Sequence, residues 1–145
     1  MLDLNVIKAR LDIIEDNIAY LKKIAEISYD TFSSDPDKTR SVRYALQISI
    51  EACLDIGQHL LAGLGLGRPA NYKDVFSILG KNNILTDEFA QKIIPMAKFR
   101  NRLVHLYWEV DNKQIYGILQ NHLDDFVEFA RQINKFIEEY GKCEF

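Results

Sequence analysis

Apolar residues return at three- and four-residue steps along most of this chain, and that spacing constrains its fold more than any other feature. Leu4, Ile7, Leu11, Ile14, Ile18, Leu21 and Ala25 trace one such line, which fits the turn of an amphipathic helix and not the two-residue alternation of a strand. The spacing predicts a first helix from about residue 3 to about residue 28. It stops near Ser33-Ser34-Asp35-Pro36, where Asp35 is placed to cap and Pro36 to fill the first turn of a second helix. Val42, Leu46, Cys53, Ile56 and Leu60 carry that helix over about residues 36 to 63. The run from Gly63 to Pro69 then reverses the chain. No strand precedes that run and no Gly-Lys-Ser/Thr follows it, so it reads as a helix stop and a turn rather than a phosphate cradle.

A short helix is predicted over about residues 71 to 79, ended by Gly80. Thr86 is the next N-cap, with Asp87 and Glu88 facing the helix dipole in its first turn. That helix should reach about Tyr107, with a kink or break near Ile94 because Pro95 removes a backbone hydrogen bond. Asp111 caps a further short helix through about Leu119. Asn121 is placed to cap the last, whose apolar face comprises Leu123, Phe126, Val127, Phe129, Ala130, Ile133 and Ile137. No segment alternates with period two and no internal repeat is visible. The fold class is all-α, a bundle of four to five main helices in one domain over residues 1–145.

At 145 residues and 48% hydrophobic, the chain has enough core to stand without disulfides or a structural metal. Its two cysteines, Cys53 and Cys143, form no Cys-x-x-Cys pair and read as reduced, cytoplasmic thiols. The N-terminal residues mix acids among apolar positions and lack a signal-peptide core, and no run of 18 apolar residues offers a membrane span. A net charge of −3 excludes a globally basic nucleic-acid coat protein. A local patch survives that test. Between Glu88 and Glu109 there is no acid, whereas Lys92, Lys98, Arg100, Arg102 and His105 all lie there.

On a helical wheel, Met96, Phe99, Leu103 and Leu106 form the stripe expected to face the core. Asn101 and His105 share the opposite side with Lys98 and Arg102. From spacing alone this pattern also fits a solvated helix face with an incidental histidine. The string Arg100-Asn101-Arg102-Leu103-Val104-His105-Leu106-Tyr107, however, resembles the Arg-to-His signature of the HEPN superfamily, in the form with a following tyrosine found in HepT-type toxins. The residues from His59 to Pro69 and from Asn71 to Phe76 resemble the end of that family's second helix and its following loop, so the likeness spans about residues 5 to 137. Pro95, shortly before the motif, departs from the family pattern.

The resemblance implies a metal-independent endoribonuclease acting as a homodimer, with the motifs of both subunits lining one cleft. Arg100 and His105 are about 140° apart on one helix, so a second copy related by a two-fold axis would complete the constellation. Histidine suits the proton transfers of RNA cleavage and a permanently charged guanidinium suits the phosphorane. In this reading Arg100 and His105 are catalytic, Arg102 supports them, and Asn101 orients His105 across one helical turn. The resemblance also implies that Tyr107 accepts adenylyl groups from a minimal nucleotidyltransferase antitoxin. Nucleotide added there would block an RNA cleft by bulk and by charge; otherwise Tyr107 is an ordinary aromatic at the core's edge.

The second helix carries a polar line of Arg43, Gln47, Glu51, Asp55 and Gln58 or His59. This line reads either as helix surface with weak i,i+4 pairs or, on the family likeness, as Glu51 and Asp55 facing the cleft to hold Arg100. His59, His105 and His122 lack metal-ligand spacing, and no cofactor is expected. A second class of function stays open, a non-catalytic nucleotide- or substrate-binding companion of a small nucleotidyltransferase, which fits the modest net charge equally well.

Overall fold

The computed structural model describes residues 2–143, with the thiol of Cys143 outside the described side chains. Seven α-helices follow one another, α1 (Leu4–Ile24), α2 (Tyr29–Ser33), α3 (Pro36–Leu64), α4 (Tyr72–Lys81), α5 (Asp87–His105), α6 (Asn112–Asn121) and α7 (Leu123–Cys143), with a 3₁₀ turn at Tyr107–Glu109 between α5 and α6. Among the described residues there is no strand. The four long helices, α1, α3, α5 and α7, are the main members of the bundle.

Their ends follow from local chemistry. Asp35 accepts from the backbone N–H groups of Asp37 and Lys38 at the start of α3, with Pro36 as its first residue, which satisfies donors that a helix start otherwise leaves open. The Lys38 ammonium, 3.0 Å from Asp35 Oδ2, holds that carboxyl below its ordinary range. Gly65 closes α3 at φ +66°, a left-handed conformation that costs glycine little. Thr86 caps α5 through Phe89 N–H, and its own N–H donates to Oε1 of the buried Gln132 on α7 at 2.9 Å.

One contiguous apolar core runs through the bundle, with Ile7, Leu21, Phe32, Leu46, Leu60, Phe76 and Phe129 fully enclosed. Helix α1 packs along α3 and α7, while α4 bridges α3 and α5. Gly57 allows the α3–α4 approach: a Cβ there would stand 2.4 Å from Val75 Cγ1. Cys53 is a free, buried thiol whose ionisation burial pushes up.

Four local expectations need correcting. Helix α1 ends at Ile24 rather than near residue 28, because Ser28 caps α2 and side chains of α6 take the intervening carbonyls: Gln120 donates to Ala25 O at 2.8 Å and Tyr116 to Ile27 O at 2.5 Å. Of the kink or break expected near Ile94, the break is absent, since α5 is continuous through Pro95. Both Pro95 and Gln91 are exposed, so water can reach the carbonyl that the proline leaves without a donor. Asn121 belongs to α6 and donates to Gly117 O instead of capping α7. Val127 lies on the exposed side of α7.

Candidate active site

The buried face of α5 is set by Phe89, Ala90, Ile93, Ala97 and Leu103. Of the stripe read from the sequence, only Leu103 is buried; Met96 and Phe99 are half-buried and Leu106 is exposed. The reason for the last is that α5 ends at His105, so Leu106 no longer follows the helical wheel. Met96 and Phe99 instead line a groove of about 360 Å³ with Leu46, Ile50, Ile118 and Phe126, and Lys98 and Arg102 stand among its polar groups.

Arg100 is the best anchored of the motif residues. Its Nε and Nη2 donate to Glu51 Oε1 at 3.2 and 3.1 Å, and Gln47 Nε2 donates to the same oxygen at 3.3 Å. A third guanidinium donor, Nη1, reaches Asn101 Oδ1 at 3.2 Å. The ring of Tyr72, the first residue of α4, lies 5.0 Å from the guanidinium carbon, a cation–π distance. Side-chain exposures of 16% for Arg100 and 33% for Glu51 make this a partly desolvated pair, stronger than an open surface ion pair. Because a guanidinium carries five N–H donors, this arrangement leaves two of them for a substrate oxygen.

His105 closes α5 and is exposed, and its imidazole makes no hydrogen bond among the described residues. Asn101 therefore does not orient it; the Asn101 carbonyl is turned back to Arg100. Arg102 donates from Nη2 to Glu109 O at 3.4 Å, tying the end of α5 to the 3₁₀ turn. Tyr107 lies on that turn, off the helix, with 63% of its surface open. Asp55 takes no part in holding Arg100. It faces α1, with its Oδ2 3.6 Å from Arg10 Nε.

The contacts of two further residues escaped the sequence reading. Tyr72 lies 28 positions from Arg100 and carries no spacing signal; the cap at Asn71, whose side chain accepts from Asp74 N–H, fixes where α4 begins and so where Tyr72 stands. Arg43 reaches across to donate from Nη2 to Val110 O at 2.6 Å and to Asn112 Oδ1 at 3.2 Å, holding the segment that follows Tyr107. Among the described residues no three His, Cys, Asp or Glu side chains converge as a metal-ion site, and no helix is long and apolar enough to cross a membrane.

The family model described as ribonuclease HepT-like matches residues 14–133. The chain belongs to the HepT-like ribonuclease family. Within that family it is 34% identical to a tRNA nuclease HepT of Aphanizomenon flos-aquae, over 91% of this chain and 90% of the relative. It is also 34% identical to an mRNA nuclease HepT of Shewanella oneidensis, over 81% of this chain and 93% of the relative. In structure it is similar to the tri-AMPylated Shewanella oneidensis HEPN toxin solved in complex with its MNT antitoxin, with a TM-score of 0.81, 30% identity, and coverage of 93% of this chain and 99% of that one. The HEPN-like all-helical fold read from the sequence is thereby shown, and the HepT-like motif lies on α5 and the turn that follows it.

Proposed function

We propose that this HepT-like protein is the toxin of a toxin–antitoxin pair, a cytoplasmic endoribonuclease that cleaves RNA without a metal and works as a homodimer. The observation that carries the reading is the pairing of a fixed, half-buried Arg100 with an exposed, unengaged His105 on one helix. The relatives' names as tRNA and mRNA nucleases support the activity, and they leave the target RNA of this chain open between those classes.

The chemistry needs few parts. A base removes the proton of a 2′-OH, the oxygen attacks the neighbouring phosphorus, and the 5′-oxygen leaves with a proton, giving a 2′,3′-cyclic phosphate and a 5′-OH. His105 is the base in this reading and the His105 of a second copy supplies the acid. Arg100, oriented by Glu51 and Tyr72, stabilises the charge on the phosphorane through its two remaining donors. The two-fold arrangement brings together groups that one α5 displays about 140° apart.

Tyr107 is the regulatory acceptor. Its exposed hydroxyl, on a turn two residues beyond His105, is open to a nucleotidyltransferase, and the AMPylated state of the Shewanella toxin beside its MNT antitoxin supports this role. The experiment is cleavage of single-stranded and transfer RNA by purified protein in excess chelator, with mapping of the product ends. Cyclic phosphate ends support the reading; nucleotide binding without any cleavage supports the companion-subunit alternative.

A further inference from the structure

We propose that Trp108 is a stacking platform for an unpaired RNA base, seated beside the phosphate that His105 addresses. This rests on the nuclease reading above and adds a substrate-positioning residue to it.

Trp108 is the one tryptophan of the chain, and at 67% exposure it is the most open large hydrophobic side chain among the described residues. It does not stand alone. Leu106 and Tyr107 before it are also exposed, and the Tyr107 and Trp108 rings meet at 81° with centroids 5.3 Å apart, so they form one angled aromatic surface. Single exposed apolar residues need no explanation, but three in succession at the end of a motif helix form a patch.

The patch is tied to the bundle. Arg102 holds Glu109 O from α5, Arg43 holds Val110 O from α3, and Val110 itself is buried. The turn thus has two guanidinium ties and a core anchor, and still presents its largest ring to solvent. Charge favours the occupant: the Arg102 guanidinium reaches the turn itself at Glu109 O, and Lys98 and Arg100 stand within two helical turns of it on α5, whereas Lys92 is paired with Asp125 and Glu109 is the one acid of the turn. A π-face beside cations is the pattern that binds single-stranded nucleic acid, with bases on the rings and phosphates on the charges.

Because Trp108 is unique, its emission reports this one position. The probe is a mixed-sequence single-stranded 2′-O-methyl oligoribonucleotide, in which the attacking hydroxyl is blocked, alongside an abasic oligonucleotide of equal length. Saturable quenching by the first and none by the second is the expected result. Trp108→Ala should bind the labelled oligonucleotide roughly 5- to 150-fold more weakly, with Trp108→Phe keeping most of the affinity. On cleavable RNA the alanine change should raise KM far more than it lowers kcat. If Trp108→Ala binds as tightly as the parent while the parent cleaves RNA, stacking is refuted and the nuclease reading stands. If the parent neither binds nor cleaves, the nuclease reading fails and takes this assignment with it. An emission shift on diluting the protein without RNA also overturns the proposal, since it places the indole between copies of the chain.

Discussion

Arg100 gives two hydrogen bonds to a single oxygen of Glu51, from Nε at 3.2 Å and from Nη2 at 3.1 Å. The pair joins α5 to α3 and fixes the direction in which the guanidinium's free edge points. Asp55, one helical turn further along α3, is engaged instead by Arg10. The two acids therefore separate in a test. Glu51→Ala should lower cleavage by about 10- to 100-fold through misplacement of Arg100, and destabilise the fold by about 1–2 kcal/mol, a value reduced for the pair's partial exposure. Glu51→Gln, which keeps the acceptor oxygen, should lose less activity. Asp55→Ala should cleave like the parent and cost at most about 1 kcal/mol. Steady-state kinetics and urea denaturation measure both.

Tyr72 stands at the start of α4, and α4 lies close on α3 at Gly57. Gly57→Ala places a methyl 2.4 Å from Val75 Cγ1, so either the Val75 side chain or α4 must shift. We expect a loss of about 1–3 kcal/mol, read as a lower urea midpoint, with a fall in cleavage that Tyr72→Ala reproduces at smaller cost in stability.

Tyr107 should be dispensable for cleavage and indispensable for neutralisation. A neutral phenol is a poor general base, so Tyr107→Phe should keep most of the parent's activity. Co-expression with a cognate nucleotidyltransferase and ATP should add adenosine monophosphate units to the parent and none at position 107 of the variant, as read by intact mass and peptide mapping. Tyr116 is a poor alternative acceptor, because its hydroxyl is half-buried and donates to Ile27 O at 2.5 Å. Modification mapped to Tyr116 would show that the acceptor is misassigned.

How much of this was legible in the sequence depended on whether the deciding partner was local. Helix α3 was readable to within a residue at each end, because Asp35, Pro36 and Gly65 act on their own neighbours. The true end of α1 was hidden, since Gln120 and Tyr116, roughly ninety positions away, take the carbonyls of Ala25 and Ile27 just beyond it. The end of α5 at His105 was equally hidden: no Gly or Pro follows it, and the turn that carries Tyr107 is held by Arg102 and by the distant Arg43. The motif itself was visible as a string of residue types. Its wiring was not, because spacing on α3 treats Glu51 and Asp55 alike and only the packing of α1 and α5 tells them apart.

A composite cleft requires two copies. Light scattering at micromolar concentration should give twice the 16.8 kDa chain mass. Mixing the parent with excess His105→Ala protein should then depress cleavage below the parent's own share, because each mixed dimer lacks one of the two histidines that the reaction uses. A monomeric parent with full activity would rule out the shared cleft.

The most direct test of the central claim is the single-turnover cleavage rate of labelled RNA, in excess chelator, for the parent, Arg100→Ala and His105→Ala. Neither changed side chain is in the apolar core, so far-ultraviolet circular dichroism should match across all three. The account predicts that each variant cleaves about 10²- to 10⁴-fold more slowly than the parent. Parent-like cleavage by a folded His105→Ala protein would contradict it.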